Sequence, residues 1–406
     1  MRLSTNSIYS MSMQSILRQQ GQVAGIGQQL ASGKKIVTPA DDPRAASQAL
    51  VVSQASAVNE QFEASRTAAR RSISAEETQL DQVTRALQAV TPQLVKAGNG
   101  TLSDADRNSI ATELEGIYAQ MLGSANAQDG NGRFIFAGHD GDRTPFVESG
   151  GRVSYQGDEG LQNLRVDASR MMAINDTGSR VFASVADSAQ YVGTADAGNG
   201  GTGVFGSINV ADASSADFGD EFRISFSETN GETRYSVANA STGQTLVADQ
   251  PYVAGEPIEL GESMRVTIKG SPVSGDGFTF ARDREEDNNI LNTLTDVINV
   301  LKTGTDTPAS RAALENGLNS AHRKVANSLD NVLTVRASLG SRLNELDTLD
   351  TVGAARGLNY DTTRSQLEDL DYMSAYSDYS LAQVALQFSQ KTFTDIQKLS
   401  MFSLNI

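Results

Sequence analysis

Apolar residues recur at every seventh position in three separate stretches of this chain, and that spacing narrows the folds open to it. Tyr9, Ile16, Val23 and Leu30 form the first stretch, with Met13 and Ile26 between them. Ile73, Leu80, Leu87 and Leu94 form the second, with Val83 and Val90 interleaved. The third is the longest: Leu318, Val325, Val332, Leu339 and Leu346, flanked by Leu329, Val335, Leu343 and Leu349. A heptad stripe marks a helix whose apolar face is narrow and must be covered by another helix. A helix of that kind is marginal alone, because its stability comes from packing rather than from propensity.

Local signals set the helix limits. Asp42 followed by Pro43 reads as a cap and first helical residue, since proline's missing N–H costs nothing there. Pro92 is expected to bend or end the helix that carries the second stripe. Asn99-Gly100 marks a turn, and Ser103 with Asp106 makes a capping box ahead of Ile110, Leu114, Ile117 and Met121. Further on, Ile290, Leu294, Val297 and Leu301 share a face; Gly304 ends that helix, and Thr307-Pro308 opens the next. Gly353 and Gly357 read as breaks, with a last helix from about Thr362 whose apolar face carries Leu381, Val384, Phe388, Ile396 and Leu399.

Residues 137–285 differ in kind. They hold 21 of the 36 glycines and most of the short alternating runs. Phe222–Phe226 and Arg234–Val237 flank Thr229-Asn230-Gly231-Glu232, and Asn-Gly is a strong hairpin signal. Met264–Ile268 and Gly277–Phe280 read as two further strands. With 22 acidic and 11 basic residues, this third of the chain carries most of a net charge of −16. The fold class expected is therefore α+β and multidomain: an elongated helical bundle of paired N- and C-terminal segments with a β-rich inserted domain. The expected division is residues 1–41 with 360–406 as terminal helical arms, 42–136 with 286–359 as a helical rod, and 137–285 as the insert.

Composition excludes several function classes. The acidic balance argues against nucleic acid, whose phosphates repel such a surface. There is no cysteine, hence no disulfide, thiolate nucleophile or sulfur-based zinc site. No run approaches the ~18 apolar residues that a membrane span needs, and Met1–Ser7 lacks the apolar stretch of a secretory leader.

The motifs that suggest chemistry read better as ordinary structure. His139, in His139-Asp140-Gly141-Asp142, belongs to a solvated turn without further ligands at calcium-loop spacing, and His322 to an exposed helix position. Gly198-Asn199-Gly200-Gly201-Thr202-Gly203 matches a dinucleotide fingerprint only formally. A strand or loop, not a helix, follows it, so it reads as a flexible linker. The acidic run Asp283–Asp287 precedes a helix, where it interacts favourably with the dipole. No catalytic, cofactor-binding or metal residues are assigned, and no cofactor is expected.

The first acidic residue of the chain is Asp41, and the run before it reads Leu30-Ala31-Ser32-Gly33-Lys34-Lys35-Ile36-Val37-Thr38-Pro39-Ala40-Asp41-Asp42-Pro43. That run resembles the N-terminal signature of the flagellin superfamily. Gly132-Arg133-Phe134-Ile135-Phe136-Ala137-Gly138, followed by Thr144-Pro145-Phe146, and the C-terminal stretch from Asp369 to Leu404 are similar to its hook–filament junction branch. The resemblance covers both ends and the edge of the middle. It implies a structural, non-enzymatic flagellar protein, exported through the flagellum's own secretion channel without a cleaved leader and acting outside the cell.

It also implies terminal arms that are disordered in the monomer and fold on assembly. Their lining would take Tyr9, Ile16, Val23, Ile26 and Leu30 from one end, and Leu381, Val384, Phe388, Ile396 and Leu399 from the other. Implied partners are the other hook-associated junction protein, flagellin, further copies in a ring, and an export chaperone, with neither nucleic acid nor membrane. Rival readings are a flagellin-like filament subunit, an adhesin or ligand-binding protein acting through the insert, and an enzyme built on a carboxylate pair.

Overall fold

The computed structural model describes residues 5–186, 188–283 and 289–402. Helices α1 (Thr5–Ser32), α2 (Pro43–Ala97) and α3 (Asp104–Ala125) come first. Two hairpins follow, β1 (Phe146–Ser149) with β2 (Arg152–Tyr155) and β3 (Asn163–Asp167) with β4 (Arg170–Ala173), then the short α4 (Gly178–Phe182). Next come β5 (Tyr191–Ala195), β6 (Val204–Phe205), β7 (Asn209–Val210), β8 (Phe222–Thr229), β9 (Glu232–Asn239) and β10 (Gln244–Pro251). The strands end with β11 (Pro257–Leu260), β12 (Met264–Lys269) and β13 (Gly277–Arg282), and the chain closes with α5 (Ile290–Lys302), α6 (Pro308–Glu368) and α7 (Tyr372–Phe402). Compactness divides it into two units, residues 1–65 with 348–406 and residues 66–347; α2 and α6 each run through the boundary.

The larger unit, 66–347, is held first by the heptad stripes. Ile73, Leu80, Leu87 and Leu94 of α2 are buried, as are Leu318, Val325, Val332, Leu339 and Leu346 of α6. Polar ties flank the seam: Arg336 of α6 donates to Glu77 (2.6 Å) and Asp81 (3.1 Å), and Arg70 pairs with Asp347 at 2.6 Å. α3 packs on α5 through Ile110, Leu114 and Met121 against a face that includes Leu294, Val297 and Leu301.

Two antiparallel sheets build the distal part of this unit. One has the order β10-β9-β8-β13-β5; the other runs β11-β12-β6, with β7 also paired to β12. Phe222, Ile224 and Phe226 alternate inward from β8 and share one core with Val266 and Ile268 of β12 and Phe278 and Phe280 of β13. The Asn230-Gly231 turn has both residues at positive φ (53° and 81°), as a two-residue hairpin loop matching the strand twist requires.

What fastens these strands to α6 is a row of amides that the apolar pattern does not reveal. Asn316 accepts from the Phe205 N–H (3.0 Å) and donates to the Gly203 carbonyl (2.8 Å). Asn327 does the same for both backbone groups of Gln190, at 3.0 and 2.9 Å. Asn331 donates to the Arg180 carbonyl at 2.8 Å. All three side chains are buried, where a side-chain amide offers backbone a donor and an acceptor together.

Three expected interruptions resolve differently. α2 passes through Pro92 instead of ending there. The carbonyl that loses its partner belongs to Gln88, an exposed residue open to water, while Val90 and Leu94 on either side of the proline stay buried. Gly353 and Gly357 lie inside α6, within the smaller unit. The Gly353 carbonyl accepts from Asn59 of α2 at 3.0 Å, and a Cβ on Gly357 would stand 3.6 Å from that amide. These glycines do not break the helix. The break falls at Asp369–Asp371, and α7 starts at Tyr372 with the Asp371 carboxylate accepting from the N–H of Met373 and Ser374.

Replacing Asn316 by leucine removes both amide bonds at similar volume and strands two buried backbone groups. Each orphaned group costs roughly 1–3 kcal/mol, so urea unfolding of the larger unit is expected to shift by about 2 kcal/mol or more. The exposed neighbour variant Asn319→Ala, which loses one bond to the Phe205 carbonyl, serves as the milder comparison.

Candidate assembly interface

The smaller unit, 1–65 with 348–406, brings the two ends of the chain together. α1 packs along α7. Positions 12, 16, 19, 23, 26 and 30 of α1 are buried or half-buried, in alternating steps of four and three. Ile16 is buried, and Val23, Ile26 and Leu30 are half-buried. Tyr9 is 45 % exposed, yet its ring lies 5.1 Å from that of Phe393. All five sequence-predicted α1 residues therefore lie along one face.

α7 behaves differently. Its more covered positions are Ala375, Tyr379, Ala382, Leu386, Ser389 and Phe393, also in steps of four and three. Tyr379 stands against Gly27, where a Cβ would meet its ring at 3.7 Å. The expected apolar residues lie elsewhere: Leu381 is 65 % exposed, Val384 48 % and Phe388 67 %. They share that open stripe with Met373 and Tyr376. Ile396 and Leu399 are on α7, but their side chains lie outside the described ones. The covered face escaped the sequence reading because half of it is Ala and Ser; only its 4-3 spacing marks it.

The α1–α7 seam is imperfect. Gln19 occupies one of its positions, and its Oε1 is buried without a hydrogen-bond partner among the described residues. Such an orphan costs on the order of 1–3 kcal/mol, which weakens a pairing already built on half-buried residues.

The Leu30–Pro43 signature run is a clasp. Gly33 ends α1 at φ 71°, in the left-handed region that favours glycine. The backbone then bridges to the other end of the chain: the Lys35 N–H donates to the Glu368 carbonyl (2.8 Å), and the Leu370 N–H to the Gly33 carbonyl (3.0 Å). Lys34 pairs with the Glu368 carboxylate at 2.6 Å, and Lys35 Nζ donates to the Gln366 carbonyl at 2.7 Å. Beyond the clasp, Thr38 and Val37 donate their N–H groups to Asp41, and the Thr38 bond foremost holds that carboxyl below its ordinary range. Asp42 caps α2 through the N–H groups of Arg44 and Ala45. Glu368, Gln366 and Leu370 had no motif to announce them, because their partners lie more than three hundred residues away.

Other motifs have structural occupants. Gly200 and Gly201 donate their N–H groups to the buried carboxylate of Asp276, so the glycine run is a fixed loop around an internal anion, not a linker. Asp158 accepts from the N–H groups of His139 and Asp140 and organises that turn, and His322 is exposed. Arg284–Asp287 of the acidic run lies outside the described residues. Phe136 of the Phe-Ile-Phe-Ala-Gly run is fully buried against Phe182, with ring centroids 5.3 Å apart. Among the described residues no cluster of three or more metal-ligating side chains occurs, and no helix is long and apolar enough to cross a membrane.

Residues 3–140 match the family model described as the bacterial flagellin N-terminal helical region. Over their whole lengths, this chain and flagellar hook-associated protein 3 of Salmonella typhimurium are 35 % identical, aligned across 405 residues. The chain belongs to the flagellar hook-associated protein 3 family. The family member of Escherichia coli K12 is likewise 35 % identical over the full length of both chains. Among solved structures, flagellar hook-associated protein 3 of Legionella pneumophila aligns at TM-score 0.69 and 25 % identity, covering 78 % of this chain and 98 % of that one. FlgL of Xanthomonas campestris aligns at TM-score 0.67 and 27 % identity, covering 77 % and 99 %. Family membership makes this a protein of the flagellum and favours that reading over an adhesin acting through the insert.

Gly33→Val places a β-branched residue at positive φ and a Cβ 2.8 Å from the Tyr372 hydroxyl. The clasp is expected to loosen, and limited proteolysis within 33–42 and 366–372 to accelerate several-fold. Lys34→Ala, which removes an exposed ion pair worth roughly 0–1 kcal/mol, should change cleavage little. Equal cleavage of all three proteins would show that the clasp does not govern the ordering of this unit.

Proposed function

We propose that this protein joins the hook side of the flagellum to the flagellin filament, and that it assembles by coupled folding of its two terminal helices. One observation carries the reading: α7 has two apolar faces, one against α1 of the same chain and one, at Leu381, Val384 and Phe388, open to solvent. Leu381 and Phe388 are seven apart with Val384 between them, the spacing of a helix that needs a second helical partner.

In this reading the partner helices come from neighbouring subunits. Ordering the arms is unfavourable for a free subunit and is offset when neighbours bury the open stripe. Burial of a Leu or Phe side chain contributes about 1.5–3 kcal/mol, so a few such residues repeated around a ring suffice to drive ordering. Tyr9, Ile16, Val23, Ile26 and Leu30 set the α1 side of the seam, Leu381, Val384 and Phe388 the outer contact, and Ile396 and Leu399 extend the α7 surface. The partners are further copies of this chain, a second hook-associated protein on one side and flagellin on the other. Before export, without a cleaved leader, a chaperone covers the open α7 stripe. No catalytic step is assigned to the protein.

Deletion of the gene is expected to leave hooks without filaments and to release flagellin into the medium, seen by electron microscopy and by assay of the supernatant. Leu381→Asp with Phe388→Asp should reproduce that loss while the secreted subunit remains folded in residues 66–347. Each change weakens subunit association by roughly tenfold or more. Normal filaments in the double variant would refute the role of the open stripe, and normal filaments in the deletion strain would refute the junction reading itself.

A further inference from the structure

Within the larger unit, two fully buried carboxyl groups meet where α2, α6 and the segment entering α4 converge. Glu76 lies on α2 and Asp176 two residues before α4, and neither side chain reaches solvent. The backbone N–H of Asp176 donates to Glu76 Oε2 at 3.2 Å, which ties the start of this segment to the Glu76 carboxyl. The charged groups acting on Glu76 are Asp176, Arg180 of α4 and Arg342 of α6.

Both guanidinium groups serve Asp176. Arg180 Nη1 donates to its Oδ1 at 2.7 Å. Arg342 Nη2 donates to the same oxygen at 3.2 Å and stands 2.9 Å from Oδ2 without the angle of a hydrogen bond. Neither arginine donates to Glu76. Among the described residues two buried oxygens remain without a hydrogen-bond partner at this place, Glu76 Oε1 and Asp176 Oδ2. An ionised carboxylate buried with an orphan oxygen beside a second carboxylate is a costly arrangement. A proton on Glu76 turns one of its oxygens from acceptor into donor and removes the cost of burying a second charge there.

We infer that Glu76 is protonated at neutral pH and shares its proton with Asp176, forming a proton-held latch between α2 and the segment that leads into α4. The direction of the glutamate's titration agrees: burial, followed by the charge of Asp176, raises it well above the ordinary range, against the opposing pull of Arg342 and Arg180. The latch ties the segment entering α4 to α2, beside the place where Asn331 of α6 holds the Arg180 carbonyl.

The sign of the pH effect follows. Between the ordinary glutamate range and the raised folded value, the folded state holds a proton that the unfolded chain has lost. Stability therefore falls as pH rises through that window and levels off once Glu76 has ionised in the folded state as well. One titrating group changes the folding equilibrium constant by up to tenfold per pH unit there.

Chemical unfolding of the full chain between pH 5 and 9 tests the latch in wild type and Glu76→Gln. Glutamine keeps a donor for Asp176 and does not titrate. The alkaline loss of stability is expected in the wild type and absent from E76Q, which should exceed the wild type at the upper end. Identical pH profiles would overturn the proposal. Should E76Q not fold, the wild-type Glu76 carboxyl carbon, observed by NMR, decides: the shift of a protonated acid at pH 7 is expected, and that of a carboxylate at pH 6 would overturn the assignment.

Discussion

Burial of one end of the chain against the other underlies the whole fold. The N-terminal helices α1 and α2 have apolar stripes too narrow to hold a helix alone, and so do α6 and α7. The stability of each depends on a partner that lies several hundred residues away in sequence. In the larger unit Leu and Val along α2 and α6 are buried, and Arg336 of α6 spans Glu77 and Asp81 of α2. In the smaller unit the α1–α7 match is loose, with half-buried seam residues and the orphaned oxygen of Gln19.

The half-covered arms fit the proposed assembly, in which neighbouring subunits cover the open stripe of α7. The clasp at Gly33–Lys35 and Glu368–Leu370 brings the start of α7 to the end of α1. The open stripe at Leu381, Val384 and Phe388 is then presented by a defined surface. Polar devices do the opposite work in the larger unit, where little is left open. Asn316, Asn327 and Asn331 bind backbone at Gly203, Gln190 and Arg180, and Asp276 accepts from the backbone of the glycine loop.

Much of this was legible in spacing. The caps at Asp42, Ser103 and Thr307 and the Asn230-Gly231 hairpin are local features, decided by residues within four positions of one another. Errors arose where a local preference met a tertiary contact. Pro92 is tolerated because a helix anchored by Val90 and Leu94 loses only one solvent-facing bond. Gly353 and Gly357 stay helical within α6, and the Gly353 carbonyl is tied to Asn59 of α2.

The sequence by itself determined the class of architecture, the helix starts at Pro43, Asp104 and Pro308 and the Asn230-Gly231 hairpin, because caps and turn residues act over a few positions. Only the tertiary structure decided which face of α7 meets α1. The covered face is half Ala and Ser, and an apolar pattern cannot distinguish a stripe buried within the chain from one left open. It also decided the clasp partners Gln366 and Glu368, the asparagine row on α6 and the Glu76–Asp176 pair. Each joins residues far apart in sequence, and a hydrogen bond or a shared proton leaves no periodicity in either partner to be read.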